Sequence, residues 1–186
     1  MTTRYEFDWR YSSIQRIFES LSLGLKSVEH ELDESERSSE LYFDVDMALE
    51  HANGLFGIAF VTAQTYITGV VSDANRVAKP SVRFKKDQLL RSYSDYLSGL
   101  TATKLEFCDA MANYFKHHDE WANWSGTGHS QKTITIFRTV GITEDDHHPC
   151  VSAANVLLPK GDWDLAPLLQ ILLHWRKIVI EACKSK

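Results

Sequence analysis

Apolar residues return along this chain at intervals of three and four, the period that lines one face of an α-helix, and no convincing series of alternating strands appears. Ile14, Ile17, Phe18, Leu21, Leu25, Val28 and Leu32 form one stripe and predict a helix over residues 12–33. Ser12 or Ser13 can cap its start by accepting from an orphan N–H. The acidic, serine-rich run from Asp33 to Glu40 then breaks the pattern as a solvated connection. A longer stripe of Met47, Leu49, Ala52, Phe56, Ala59, Phe60, Ala63, Ile67 and Val70 predicts a second helix over residues 40–74. Gly54 and Gly57 lie inside it, each costing about 1 kcal/mol relative to alanine. Close approach of a neighbouring helix backbone is the simplest reason for them.

A short helix is expected from Asp87 to Leu97, after Pro80. A third main helix over residues 103–121 turns Leu105, Cys108, Met111, Ala112 and Phe115 inward. Trp124 to His129 reads as loop. Lys132 to Ile142 is ambiguous: Thr133-Ile-Thr-Ile-Phe-Arg-Thr-Val alternates like a strand and is rich in β-branched residues. Ser130 as an N-cap, and Gly141 followed by Ile142 in the manner of a Schellman ending, favour a short helix instead. Asp162 or Asp164 caps a last helix over residues 164–184, with Pro167 in its first turn. Its apolar face is Leu165, Leu168, Leu169, Leu172, Trp175, Val179 and Ala182. The expected fold is all-α, a single domain over residues 1–186 built as a bundle of about four principal helices with shorter pieces.

Composition narrows this picture. At 186 residues with 44% hydrophobic and 24% charged, the chain is too apolar for disorder and too short for two ordinary domains. The stretch Ala52–Ser72 is long enough to span a bilayer, but Asn53, Thr62, Gln64, Thr65, Thr68 and three glycines dilute it, so a buried bundle helix is expected and no membrane partner. Met1 to Asp8 lacks the apolar core of a signal peptide. Cys108, Cys150 and Cys183 are odd in number without a CxxC, which points to a reducing cytoplasm. Charge is polarised: residues 1–50 hold five basic against twelve acidic side chains, whereas Arg76–Lys104 holds seven basic against two.

The most distinctive chemistry lies in residues 108–121, Cys-Asp-Ala-Met-Ala-Asn-Tyr-Phe-Lys-His-His-Asp-Glu-Trp. Asn113 and His117 are four apart and share a helix face with Asp109 and Glu120. An imidazole on a polar face suits general acid–base work, and equally such a face is the solvent side of an amphipathic helix. Asn113-Tyr-Phe-Lys-His117-His118 resembles the Asn-to-His part of the motif carried in a late helix by bundles of the HEPN superfamily. The long helix containing Phe60-Val-Thr-Ala-Gln-Thr-Tyr-Ile is similar to the partner helices of that family, so the likeness covers residues 40–121 at most. The resemblance implies metal-independent RNA cleavage or RNA binding, often in bacterial stress or defence settings, with two motif helices meeting across a homodimer. It also implies His117 or His118 as general base toward the ribose 2′-OH and Asn113 as a polar supporter. The family's arginine position, just before Asn113, is Ala112 here. Without that guanidinium the developing phosphorane charge loses a stabiliser worth about 10²–10³ in rate. Lys116 is a point charge turned away from Asn113, so a binding-only member is as well supported as a nuclease.

Other constellations are weaker. Arg83, Lys85 and Lys86, with Arg76, Lys79 and Arg91 about them and Phe84 between, can contact RNA phosphates or simply solvate a connection. His117–Glu120, His129 and Glu144–Cys150 hold many potential metal ligands, but no CxxC or HExxH spacing is present, and neither a metal nor another cofactor is expected. Trp121, Trp124, Trp163 and Trp175 fit core closure better than base stacking. The absence of P-loop, GxGxxG and GxSxG patterns disfavours nucleotide-driven and hydrolase chemistry. The second reading is a non-enzymatic protein-interaction bundle of the immunity or antitoxin type, and the third a metal-dependent enzyme.

Overall fold

The structure is a computed structural model that describes residues 7–37, 42–121, 124, 129–159 and 162–184. Among these residues there are seven α-helices and no strand. In chain order they are α1 (Tyr11–Arg37), α2 (Tyr42–Val77), α3 (Lys86–Tyr93), α4 (Lys104–His117), α5 (His129–Thr139), α6 (Pro149–Leu157) and α7 (Ala166–Lys184). The all-α bundle expected from periodicity is therefore the fold, with its principal helices α1, α2, α4 and α7.

α2 is the central column. α1 folds back along it as an antiparallel hairpin, so Arg10, just before α1, pairs with Asp73 near the far end of α2. The Arg10 side chain passes over Gly69, where any Cβ would collide with it. Asp8 reinforces this end by accepting from Tyr66 Oη and facing Arg176 Nε of α7 at 3.5 Å. α4, α6 and α7 cover the other faces of α2. Phe18, Phe56, Phe60, Phe107, Phe137 and Trp175 fill the shared core. By length and composition Asp44–Val77 also meets the requirement for a membrane span, and half of its most apolar stretch is buried inside the bundle.

Two stripe positions depart from the expectation. Ile17 and Met47 are each 43% exposed. Ile17 borders an open groove between α1 and α2, and Met47 faces a polar recess beside Glu31 and Glu34 near the end of α1. Gly57 is needed for a different reason from the one expected. A side chain, not a backbone, comes close: a Cβ at Gly57 would fall inside the Phe115 ring of α4. Gly54 has open space beside it, and nothing in the structure explains it.

The shorter pieces follow local chemistry. α3 stops at Tyr93, before Leu97, because the chain reverses in a turn closed by Leu97 N donating to Ala102 O at 3.0 Å and Lys104 N donating to Asp95 O at 2.8 Å. Thr103 then starts α4 with a capping box: its Oγ1 accepts from Glu106 N at 3.2 Å, and its own N–H donates to Glu106 Oε2 at 3.1 Å. α4 tightens into a 3-10 turn over His118–Glu120. The ambiguous segment is helical. Its Schellman ending is present, with Gly141 at φ +83°, Ile142 N donating to Phe137 O at 3.1 Å and Gly141 N donating to Arg138 O at 3.3 Å. α5 begins at His129, so Ser130 sits inside its first turn and not at the cap. The expected loop Trp124–His129 falls mostly outside the described residues.

α6 is an element the periodicity did not predict. Pro149 opens it, Cys150 N donates to Asn53 Oδ1 of α2 at 2.9 Å, and His148 lies between Asp46 and Glu50 of α2 at 3.2 and 3.5 Å. The three cysteines are buried and form no disulfide among the described residues. Burial raises the Cys108 thiol well above its usual range and pushes Cys150 up to about 12, so neither is a reactive thiolate at neutral pH.

Candidate functional site

The polar face of α4 is held by one side chain of α2. Gln64 is buried, and its Nε2 donates to Asp109 Oδ1 at 2.8 Å and Asn113 Oδ1 at 2.9 Å. Its Oε1 accepts from Lys116 Nζ at 2.6 Å. Asp109, itself buried, receives a second bond from Lys86 Nζ of α3 at 2.8 Å. Gln64 thus fixes the rotation of α4 relative to α2, and Asp109 ties α3 to the same point.

Outside this network a recess of about 480 Å³ opens between α3, α4 and α5. α4 and its 3-10 turn contribute Asp109, Asn113, His117, Glu120 and the half-buried Trp121; α3 contributes Lys86 and Asp87; α5 contributes Ser130, Lys132 and Thr133. Lys132 Nζ pairs with Asp87 at 2.9 Å, and His117 Nδ1 lies 3.1 Å from Glu120 Oε1. Each lysine in the recess therefore already faces a carboxylate, so an anionic ligand enters by competing for these pairs. Trp121 is set edge-on to Tyr114 at 5.7 Å, in an aromatic cluster with Trp124 and Phe137.

Compared with protein-family models, curated proteins and solved structures, the chain gives no match.

The residues singled out in the sequence separate in space. Asn113, His117 and Lys86 line one recess. His118 does not: its ring stacks on Tyr114 at 5.1 Å, its Nδ1 lies 3.3 Å from Phe115 O, and its Nε2 lies 3.2 Å from Asp119. Lys116 is drawn to Gln64 and also lies outside the lining. Arg83 and Lys85 are exposed on the segment before α3 and do not reach the recess. Ala112 is fully buried, and no arginine is among the described residues that line the recess. The contribution of α5 and the role of Gln64 were not read from the sequence. Gln64 registered there only as a polar break in an apolar run.

The loose set of metal ligands does not converge. Among the described residues no three His, Cys, Asp or Glu side chains are placed to share an ion. His148 is taken up by α2, and His147 is exposed. Of the four tryptophans singled out in the sequence, Trp175 is core and donates from Nε1 to Leu89 O at 3.2 Å, and Trp163 packs edge-on against Phe56. Trp121 alone borders the recess.

Chemically the recess offers hydroxyl and amide groups, two lysines, the three carboxylates of Asp87, Asp109 and Glu120, one imidazole and an indole. His117 Nδ1 is taken up by Glu120, and no guanidinium among the described residues lines the recess to stabilise a pentavalent phosphorane.

Proposed function

We propose that this chain is a HEPN-like helical bundle that binds single-stranded RNA in the α3–α4–α5 recess and does not cleave it efficiently. The observation that carries this reading is the convergence of Lys86, Lys132, Asn113, Ser130 and Trp121 on one open recess beside the Asn113–His117 face. Lysines from two helices supply phosphate contacts, and the indole supplies a sequence-tolerant stacking surface. Because both lysines are already paired, binding is moderate and strongly salt-dependent. Three buried thiols without a disulfide suit a reducing cytoplasm, where such a protein would work.

Fluorescence anisotropy with a short labelled single-stranded oligoribonucleotide tests this reading, with the same RNA run on a denaturing gel after incubation in EDTA. The expected result is salt-sensitive binding and intact RNA. Lys132→Gln should weaken binding and flatten the slope of log K against log salt by about 0.7, the value for one lost single-strand phosphate contact. Absence of binding at low salt removes the reading. RNA cleavage that disappears in His117→Ala replaces it with a nuclease.

One observation bears on the expected homodimer. Trp9 and Ile17 are exposed beside a groove of about 420 Å³ between α1 and α2, and Ile58 is exposed one turn before the groove residue Thr62. We propose that a second copy of the chain covers this face. Light scattering should then give a dimer for the wild type and a monomer for Ile58→Glu, with the helical circular dichroism signal unchanged. A monomeric wild type at high micromolar concentration excludes the homodimer.

A further inference from the structure

The α3–α4–α5 recess does not end at Lys132. Beyond that side chain a second recess of about 210 Å³ opens between α3, the loop before α4 and α5, lined by Arg91, Thr101, Glu106, Thr135 and Thr139 among others. Lys132 borders both recesses, so the two adjoin along α5. α5 contributes to both from different sides: Ser130 and Thr133 line the first, Thr135 and Thr139 the second.

The cations follow the same line. Lys86 lies in the first recess, Lys132 on the divide and Arg91 in the second. Lys86 and Arg91 are five residues apart on α3, about 7.5 Å along its axis at 1.5 Å per residue. Each has one carboxylate partner: Asp109 at 2.8 Å, Asp87 at 2.9 Å and Glu106 at 3.4 Å, respectively. The Arg91 and Lys132 side chains are more than half exposed, so their charge is also offered to solvent. Lys86, Lys132 and Arg91 stand in a row beside two recesses lined by hydroxyls and by the carboxylates of Asp87, Asp109, Glu106 and Glu120. A ligand whose negative charge repeats along its length would take the place of those carboxylates as partner of the row. A lone mononucleotide would leave the second recess and Arg91 without a role. A duplex buries its bases and cannot lower them into recesses of this size.

We propose that the two recesses are consecutive subsites for single-stranded RNA, with the phosphate that joins two nucleotides at Lys132 and the following phosphate at Arg91. The proposal rests on the RNA-binding reading above and names the form of RNA taken. Glu106 keeps Arg91 directed along the second recess, because its other oxygen is engaged by the Thr103 N–H of the capping box.

The test uses the full chain, a labelled single-stranded oligouridylate, the same strand annealed to its complement, and uridine monophosphate as competitor. Arg91→Gln and Thr101→Glu are the two variants; Thr101 is exposed on a loop, so its substitution disturbs no packed side chain. The single strand should bind more tightly than the duplex. Both variants should weaken the oligouridylate several-fold without changing the weak competition by uridine monophosphate. Arg91→Gln should also lower the salt slope by about 0.7. Oligouridylate bound with unchanged affinity and salt slope by both variants overturns the second subsite and leaves the RNA reading standing. Failure of the wild type to bind any RNA at low salt removes both.

Discussion

Trp175→Ala is expected to lower the free energy of unfolding by about 3–5 kcal/mol, the range for truncating a fully buried tryptophan. Trp175 is 1% exposed, and its Nε1 donates to the backbone carbonyl of Leu89 in α3. The substitution therefore opens a cavity and also removes the indole's bond to the Leu89 carbonyl. α3 is vulnerable to this loss. It has eight residues and no side-chain cap at Lys85, and a helix so short has little stability of its own. Leu89, Leu90 and the bond from Trp175 hold it down, and Lys86 and Asp87 are carried with it. Chemical denaturation followed by circular dichroism measures the effect. Trp175→Phe keeps most of the volume and should cost only about 1–2 kcal/mol. A loss below about 1 kcal/mol for the alanine variant would mean that α7 does not anchor α3.

Gln64→Leu should cost about 2–3 kcal/mol, because one substitution removes the bonds from Gln64 to Asn113 Oδ1 and to the buried Asp109 carboxylate and the oxygen that accepts from Lys116. Lys86 still compensates Asp109, which keeps the loss below that of a bare buried charge. Gln64→Glu is the sharper probe. It places a carboxylate against the Asp109 carboxylate, so the folded state favours a proton that the unfolded state does not hold at neutral pH. Such a raised native pKa makes the variant least stable at neutral pH and returns stability as the pH falls through it. Thermal melting of wild type and both variants at neutral and mildly acidic pH checks the sign. A Gln64→Glu protein that loses stability on acidification in parallel with the wild type would contradict the placement of Gln64 against Asp109.

Much of the fold was legible because long amphipathic helices repeat one signal many times. α1, α2, α4 and α7 each show several apolar turns, and single exceptions such as Ile17 and Met47 do not erase the period. α6 lacks that redundancy: nine residues, small and apolar, opened by a proline, read as punctuation. The start of α4 carried a signal that the apolar stripe overshadowed, since Thr103-Lys-Leu-Glu106 has the spacing of a capping box. The candidate site was half visible. Asn113 and His117 share a face by spacing alone, and Lys86 was noticed for its charge. Lys132, Ser130 and Thr133 meet them only because α5 packs against α4, a tertiary fact that no local pattern contains. Spacing also cannot separate adjacent residues at a helix end. His117 and His118 are neighbours in sequence, yet the change to a 3-10 turn sends one toward the recess and the other onto Tyr114.

The central claim is that RNA lies in the recess beside Asn113 and His117, so the most direct test is where RNA touches the protein. Ultraviolet cross-linking of a single-stranded oligouridylate to the full chain, followed by peptide mass spectrometry, reads that position. The account predicts adducts on Trp121 and on the α5 peptide containing Lys132, reduced in Lys132→Gln and by high salt. Adducts confined to the α1–α2 face around Trp9, or spread without preference over the surface, would contradict it.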